Sequence, residues 1–277
     1  MKRKRLKGGI VAGHTVLILW ALTNIAPFLW VLLNSFRERQ YILSNSFSLS
    51  IRATLENYIA ALGKLNIFGA YLNSFIISCS VTVLTVLVGS LAAYGLVRYS
   101  FKMKQVIIFT IYACLMIPVY STIIPVFSML FKADLINHLL GVILPQTAGA
   151  LATCIIIVMG YIKDISIDLE ESAFLEGCDT FGVFFRIILP ISKPALATVS
   201  IFTFLGSYND LFTQLFILRK KEVWAINRLL NEISSQYGTD YGLMCASIII
   251  AIVPVLIVYI FLQKQIIKGM MAGAIKG

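Results

Sequence analysis

The chain has 277 residues, of which 59 % are hydrophobic and 13 % charged, and its mean hydropathy is +0.88. A water-soluble domain is about 45–50 % apolar and about 25 % charged, so this composition excludes a soluble enzyme, a secreted disulfide scaffold and a disordered chain, and leaves an integral membrane protein. The net charge of +10 fits that class, because anionic lipid and the membrane potential retain basic residues beside spans on the inner side; nucleic-acid binding is not expected.

A helix crosses the hydrocarbon core in about 20 apolar residues, and the backbone in lipid must satisfy itself. Windows free of Asp, Glu, Lys and Arg lie at 8–36, 65–97, 105–131, 135–162 and 241–263, and a sixth, 194–218, is broken only by Asp210. They predict an all-α polytopic membrane protein forming one domain over 1–277, with spans near 10–33, 72–96, 106–126, 139–160, 196–217 and 241–262. The first is too long, and lacks the small-residue cleavage pattern, to be a removed signal peptide. An even span count puts both termini on one side. The segments sharing that side carry fourteen Lys and Arg against nine opposite, so both termini are expected in the cytoplasm. Pro27, Pro118, Pro125, Pro145 and Pro254 lie in or beside spans, where each removes a helix hydrogen bond. The five cysteines include no CxxC, and four sit in apolar runs; they read as small hydrophobes. His14 and His138 stand alone. No metal site and no catalytic group is expected.

The segment 163–194 is the longest cytoplasmic stretch, and it is acidic, with six Asp and Glu against three Lys and Arg. It also carries helix signals. Asp168 with Glu171 reads as a capping box, Gly177 as a C-cap and Asp179 as the N-cap of a second helix. Phe181, Phe184, Phe185, Ile188 and Leu189 follow an amphipathic stripe, with Pro190 and Pro194 ending it. A helix resting on the bilayer surface has a basic polar face; this acidic pair of helices points to a protein partner instead.

At these residues the sequence resembles a known family. "EESAFLEGCDTFGVFFRIILPISKP" is similar to the EAA loop of binding-protein-dependent ABC importer permeases. Glu171, Ala173, Glu176, Gly177, Phe184, Ile187, Leu189, Pro190 and Pro194 match at the family's spacing, and Ser172 and Cys178 stand for alanines. "NSFIISCSVTVLTVLVGSLAAYGLVRYSF", "MIPVYSTIIPVFSMLFKADLINHLLGVILP", "YNDLF" and "KGMMAGAIKG" resemble further signatures of the carbohydrate branch, whose members include maltose, multiple-sugar and raffinose-type importers; Tyr208 replaces the usual tryptophan. The resemblance implies a type I ABC importer permease-like bundle in the bacterial cytoplasmic (inner) membrane. It implies a coupling helix made of Glu171, Ser172, Ala173, Phe174, Leu175, Glu176, Gly177, Cys178 and Asp179, seated on an ATPase subunit. The expected partners are a homologous second permease subunit, two ATPase subunits, an extracytoplasmic sugar-binding protein and membrane lipid. The expected role is import of a sugar, read as an oligosaccharide, by alternating access.

The chain has no G-x-x-x-x-G-K-[ST] phosphate loop, so ATP and Mg belong to the ATPase subunits and no cofactor is expected here. It also lacks the intramembrane acid–histidine chain of a proton-coupled carrier. Asp210 is the one formal charge inside a predicted span and should face a cavity, the bundle interior or a partner. With Tyr208, Asn209 and Gln214 it forms a candidate substrate path, since sugar rings pack on aromatics and hydroxyls pair with amides and carboxylates. Pairing near the outer surface or at the subunit interface is the structural alternative for Asp210. Arg37, Arg39, Arg219, Lys220, Lys221 and Arg228 lie in the outer segments, either as solvated loop charge or as docking charge for the binding protein. Other readings of the whole chain are a permease for another solute, such as glycerol phosphate, and more distantly a membrane-embedded enzyme or anchor.

Overall fold

The computed structural model describes residues 2–45, 53–64, 66–236 and 240–274, and every regular element among them is helical. Arg52, Lys276 and the last residues of the tail motif lie outside the described residues. In chain order the helices are α1 (Lys2–Ser35), α2 (Arg39–Asn45), α3 (Glu56–Lys64), α4 (Ile67–Arg98), α5 (Lys104–Cys114), α6 (Ile123–Lys132), α7 (Leu139–Lys163), α8 (Asp168–Leu175), α9 (Thr180–Val183), α10 (Leu189–Ile191), α11 (Lys193–Asn209), α12 (Leu211–Ile217), α13 (Ile226–Gln236) and α14 (Tyr241–Ala274).

Three of these are long and apolar enough to cross a bilayer: Ile10–Ser35, Ile67–Arg98 and Leu139–Lys163. Thr180–Ile191 and Lys193–Asn209 form a pair bent by 78°, and count as a fourth if taken as one span. Two predicted spans are therefore not single helices. The 106–126 span is cut after Cys114 and resumes through a 3₁₀ turn at Val119–Thr122. Pro118 has no amide to donate and disfavours helical backbone at Ile117, so it sits extended at the head of that turn. The 196–217 span is cut at Asp210, whose backbone is extended (φ −74°, ψ 93°). Pro27 and Pro145, by contrast, lie within continuous helices.

The chain divides into two compact units. One comprises Met1–Ile67 and Leu230–Leu256. In it the Asn57 amide donates to the carbonyls of Ser35 (2.9 Å) and Arg37 (2.8 Å), closing the turn after α1. Gly242 packs so closely on Asn57 that a Cβ would lie 2.7 Å from its Nδ2. Ile10–Phe28 of α1 is exposed along its length; an apolar helix that is not covered by the other described residues is at no disadvantage in lipid.

The other unit comprises Phe68–Leu229 and Ile257–Gly277. Helix α7 is its centre and packs against α5, α11 and α12. Its core joins Ala93, Tyr94 and Leu96 of α4, Cys154–Ile162 of α7 and Val199 of α11 to Ile165, Ala173, Val183, Phe184 and Ile188 of the following loop. That loop is thereby part of the same packed body as α4, α7 and α11.

Candidate functional site

Helix α7 ends at Lys163, and the chain turns through 164–167 into α8. The expected capping box does not form: the N-cap is Ile167, without a side-chain cap, and Asp168 is already in the first turn. Ser166 Oγ instead accepts from the Asp168 amide (3.3 Å) and donates to its carboxylate (3.0 Å). The helix starts one residue earlier than the box requires, and Asp168, Glu170 and Glu171 in the first turn suit its positive end.

The exit from α8 follows the sequence closely. Gly177 has φ +87°, the Cys178 amide donates to Ala173 O (3.0 Å) and the Gly177 amide to Phe174 O (3.0 Å). This is a Schellman cap, which needs a residue in the left-handed region. Asp179 Oδ1 then accepts from the Gly182 amide (2.9 Å) as the N-cap of α9. The next helix is not the expected uniform stripe. Phe184–Ile188 form a π turn, which rotates later residues relative to earlier ones. Phe184 and Ile188 are buried, Leu189 is half-buried, and Phe181 and Phe185 are exposed. Pro190 lies in the last turn of the continuous helical run Thr180–Ile191, near the expected end, whereas Pro194 sits in the opening turn of α11. The break falls at Ser192 between them.

The loop thus has two faces. Inward, Ala173, Val183, Phe184 and Ile188 enter the core. With them goes Glu170, which is only 4 % exposed. Its carboxylate pairs with Arg98 Nε and accepts from Tyr94 Oη (3.0 Å), while Arg98 Nη2 donates to Ile165 O (2.8 Å). The Tyr94 ring lies 5.5 Å from that of Phe184, and Tyr99 Oη donates to Thr180 Oγ1 (3.3 Å). The end of α4 therefore holds both halves of the loop. Outward, Glu171, Ser172, Phe174, Leu175, Glu176, Gly177 and Asp179 are exposed, and Cys178 is half-buried. Leu175 is 91 % exposed. Of the nine residues expected in the coupling helix, only Ala173 is buried.

Sequence reasoning missed Glu170, Tyr94 and Arg98 as one cluster. A signal existed. Adjacent helix residues point about 100° apart, so Glu170 and Glu171 cannot share a face. Tyr94 and Arg98, four apart, share one face of α4.

At the second candidate site, Ser207 Oγ donates to Gln146 Oε1 (2.6 Å), and Gln146 Nε2 donates to Asp210 Oδ2 (2.8 Å). Asp210 Oδ1 accepts from the Thr213 amide (3.0 Å), capping α12. The carboxylate thus stitches the helix break to α7. Asn209 is exposed and its amide donates to Leu205 O (2.9 Å). The Tyr208 ring stacks on Phe204 at 6.0 Å, and its carbonyl accepts from Asn227. Gln214 is 1 % exposed. The network joins Asp210 to Gln146 and Ser207, which the sequence did not single out.

Among the outer basic residues, Arg37 is 1 % exposed and donates to Asn34 Oδ1 (3.2 Å), so it presents no docking charge. Arg39, Arg219, Lys220 and Lys221 are exposed, and Arg228 is half-buried over the Trp224 ring (4.5 Å). Asn137 Oδ1 accepts from the amides of Arg219 (2.7 Å) and Lys220 (2.9 Å). Among the described residues no three His, Cys, Asp or Glu side chains are grouped to hold a metal.

Residues 85–271 match the family model described as the binding-protein-dependent transport system inner membrane component. The chain is 34 % identical to the diacetylchitobiose uptake system permease protein of Streptomyces coelicolor, over 95 % of this chain and 88 % of that protein. It is 31 % identical to the arabinooligosaccharides transport system permease protein of Bacillus subtilis, over 93 % and 92 %. A crystal structure of a bacterial ABC transporter involved in import of the acidic polysaccharide alginate has a chain of the same fold, with TM-score 0.82 and 22 % identity, covering 95 % of this chain and 98 % of that one. A loop locked to the long helices on one face and bare on the other, within an apolar helical chain, accords with these matches: the protein belongs to the binding-protein-dependent transport system inner membrane components.

Proposed function

We propose that this chain is a permease subunit of an ATP-driven oligosaccharide importer, one six-crossing domain over 1–277 in the bacterial cytoplasmic membrane with both termini inside. The third and fifth crossings are the broken helices. Irregular backbone at membrane depth is tolerated where protein covers it or where it lines a cavity, and the Gln146–Asp210 bond covers one break. The chain pairs with a homologous second permease to form the path. Two ATPase subunits, holding ATP and Mg, drive it from inside, and a sugar-binding protein delivers from outside. Glycans named for two relatives, diacetylchitobiose and arabinooligosaccharides, support the solute class. Tyr208, Asn209 and Asp210 lie on the path, and Gln214 supports it from within.

The observation that carries this reading is the two-faced loop. Its inner side is fixed by Glu170, while Leu175, Phe174 and Phe181 are exposed. Exposed aromatic and aliphatic groups on a rigid base are what a partner's pocket takes up. Purification of the chain from its native membrane tests it: an ATPase and a second permease should come with it. The reconstituted assembly should import labelled oligosaccharides in an ATP-dependent way. An isolated chain, or an assembly inert to every oligosaccharide, contradicts the proposal.

A further inference from the structure

We infer that Tyr94, Arg98 and Glu170 form a rigid joint through which displacement of α8 is passed to α4, making them positioning residues for coupling rather than docking residues. The inference rests on the importer reading. Three features carry it. First, Glu170 is buried on the face of α8 opposite the exposed Leu175, and both its oxygens are taken by α4. Second, Arg98 has two attachments on different elements: Nε to Glu170 and Nη2 to the Ile165 carbonyl between α7 and α8. The guanidinium is a planar fork, so two bonds fix its orientation as one would not. Third, the same end of α4 and the residue that follows it touch the second half of the loop, through Tyr94 on Phe184 and Tyr99 on Thr180.

Apolar packing alone lets a short helix roll or slide, because its contacts are non-directional. A buried charge pair does not, because any slip leaves an unpaired charge without water. A push on α8 then moves α4, and α4 runs from this joint through 32 residues of apolar helix. Glu171, beside it, is exposed and free to meet a partner. The two acids divide the work: Glu170 transmits inward, Glu171 docks outward.

The test uses the complete assembly in lipid nanodiscs and proteoliposomes, with diacetylchitobiose and arabinotriose as transport probes. Glu170→Gln keeps the size and the acceptor for Tyr94 but removes the charge. It should still assemble with the ATPase and hydrolyse ATP, while probe imported per ATP falls about tenfold. The swap Glu170→Arg with Arg98→Glu should recover part of that loss, as a direct pair requires. Spin labels placed as genetically encoded residues at Leu169 and Val83 read the joint without any sugar. Their separation should stay constant in the wild type on adding ATP and vanadate, and should change or broaden in Glu170→Gln. Tyr94→Phe, which deletes one hydroxyl, gives a milder version if Glu170→Gln fails to assemble: import per ATP falls about threefold. Wild-type import per ATP in these variants, import lost only in proportion to the amount of assembly, or label separations that match wild type all overturn the joint. If the wild-type assembly imports neither probe, the choice of solute fails, and the label measurement still decides the joint.

Discussion

Gly89 of α4 and Cys154 of α7 face each other with no room for a side chain on the glycine: a Cβ there would stand 2.4 Å from Cys154 Sγ and 3.1 Å from its Cβ. The thiol is held in turn by the Thr85 carbonyl at 3.4 Å. Small residues at such a contact let two membrane helices approach, and packing is then the attraction, since lipid supplies no hydrophobic drive between them. Gly89→Ala should destabilise the protein by about 1–3 kcal/mol through overpacking. Adding Cys154→Ala removes the sulfur and should restore part of the loss. Thermal unfolding of the detergent-solubilised protein measures both. An unchanged melting temperature for the single variant would show that the helices separate without cost.

Gly177 is a different kind of glycine. A Cβ there meets nothing within 4 Å, but φ is +87°. The demand is on backbone conformation, which costs other residues roughly 1–2 kcal/mol and asparagine less. Gly177→Asn should keep the Schellman cap and most transport. Gly177→Val should loosen the end of α8 and lower transport several-fold. Gly177→Arg adds a long charged side chain beside the exposed Leu175 and should uncouple hydrolysis from import. Uptake and ATP hydrolysis measured together decide among these, and normal uptake in Gly177→Arg cells would contradict the docking role.

Leu175 is the test of the outer face. At 91 % exposed it contributes almost nothing to this chain's own packing, so Leu175→Asp should leave the chain folded and inserted. Recovery of the ATPase with the purified permease should fall by at least about tenfold, as for a central interface anchor. ATPase recovered in full would place the interface elsewhere.

Much of this arrangement was legible because it depends on local chemistry. Gly177 and Asp179 announce a helix end and a helix start, and both do that in the structure. What was not legible depends on tertiary partners. Asp168 looked like a cap, but a helix that begins one residue earlier makes it a first-turn acid. The aromatic stripe assumed an unbroken 3.6-residue period, and the π turn at Phe184–Ile188 breaks it. Glu170 looked like any loop acid because its partners Tyr94 and Arg98 are more than seventy positions away in sequence. Windows of apolar residues did not reveal the helix interruptions at 115–122 and 210, since hydropathy does not register whether backbone groups are satisfied from outside the helix.

Asp210 shows what such an interruption demands. Its carboxylate accepts from the Thr213 amide and from Gln146 Nε2, and both roles can be filled by a neutral amide's oxygen only in part. Asparagine is as good an N-cap as aspartate, so Asp210→Asn should keep the break; its Nδ2, a donor, then faces Gln146, whose side-chain amide must turn over to accept with Oε1 and donate with Nε2 to the Ser207 hydroxyl. Alanine removes the cap, worth about 1 kcal/mol, and leaves the half-buried Gln146 donor without its acceptor, a further cost of about 1 kcal/mol. Melting temperatures should therefore fall little for Asp210→Asn and clearly for Asp210→Ala. Transport separates the structural role from solute contact. If Asp210 only stitches the break, Asp210→Asn imports oligosaccharides like the wild type. If its charge also meets the passing sugar, Asp210→Asn melts normally yet imports with a raised KM, and that split between stability and uptake is the signature of a residue on the path.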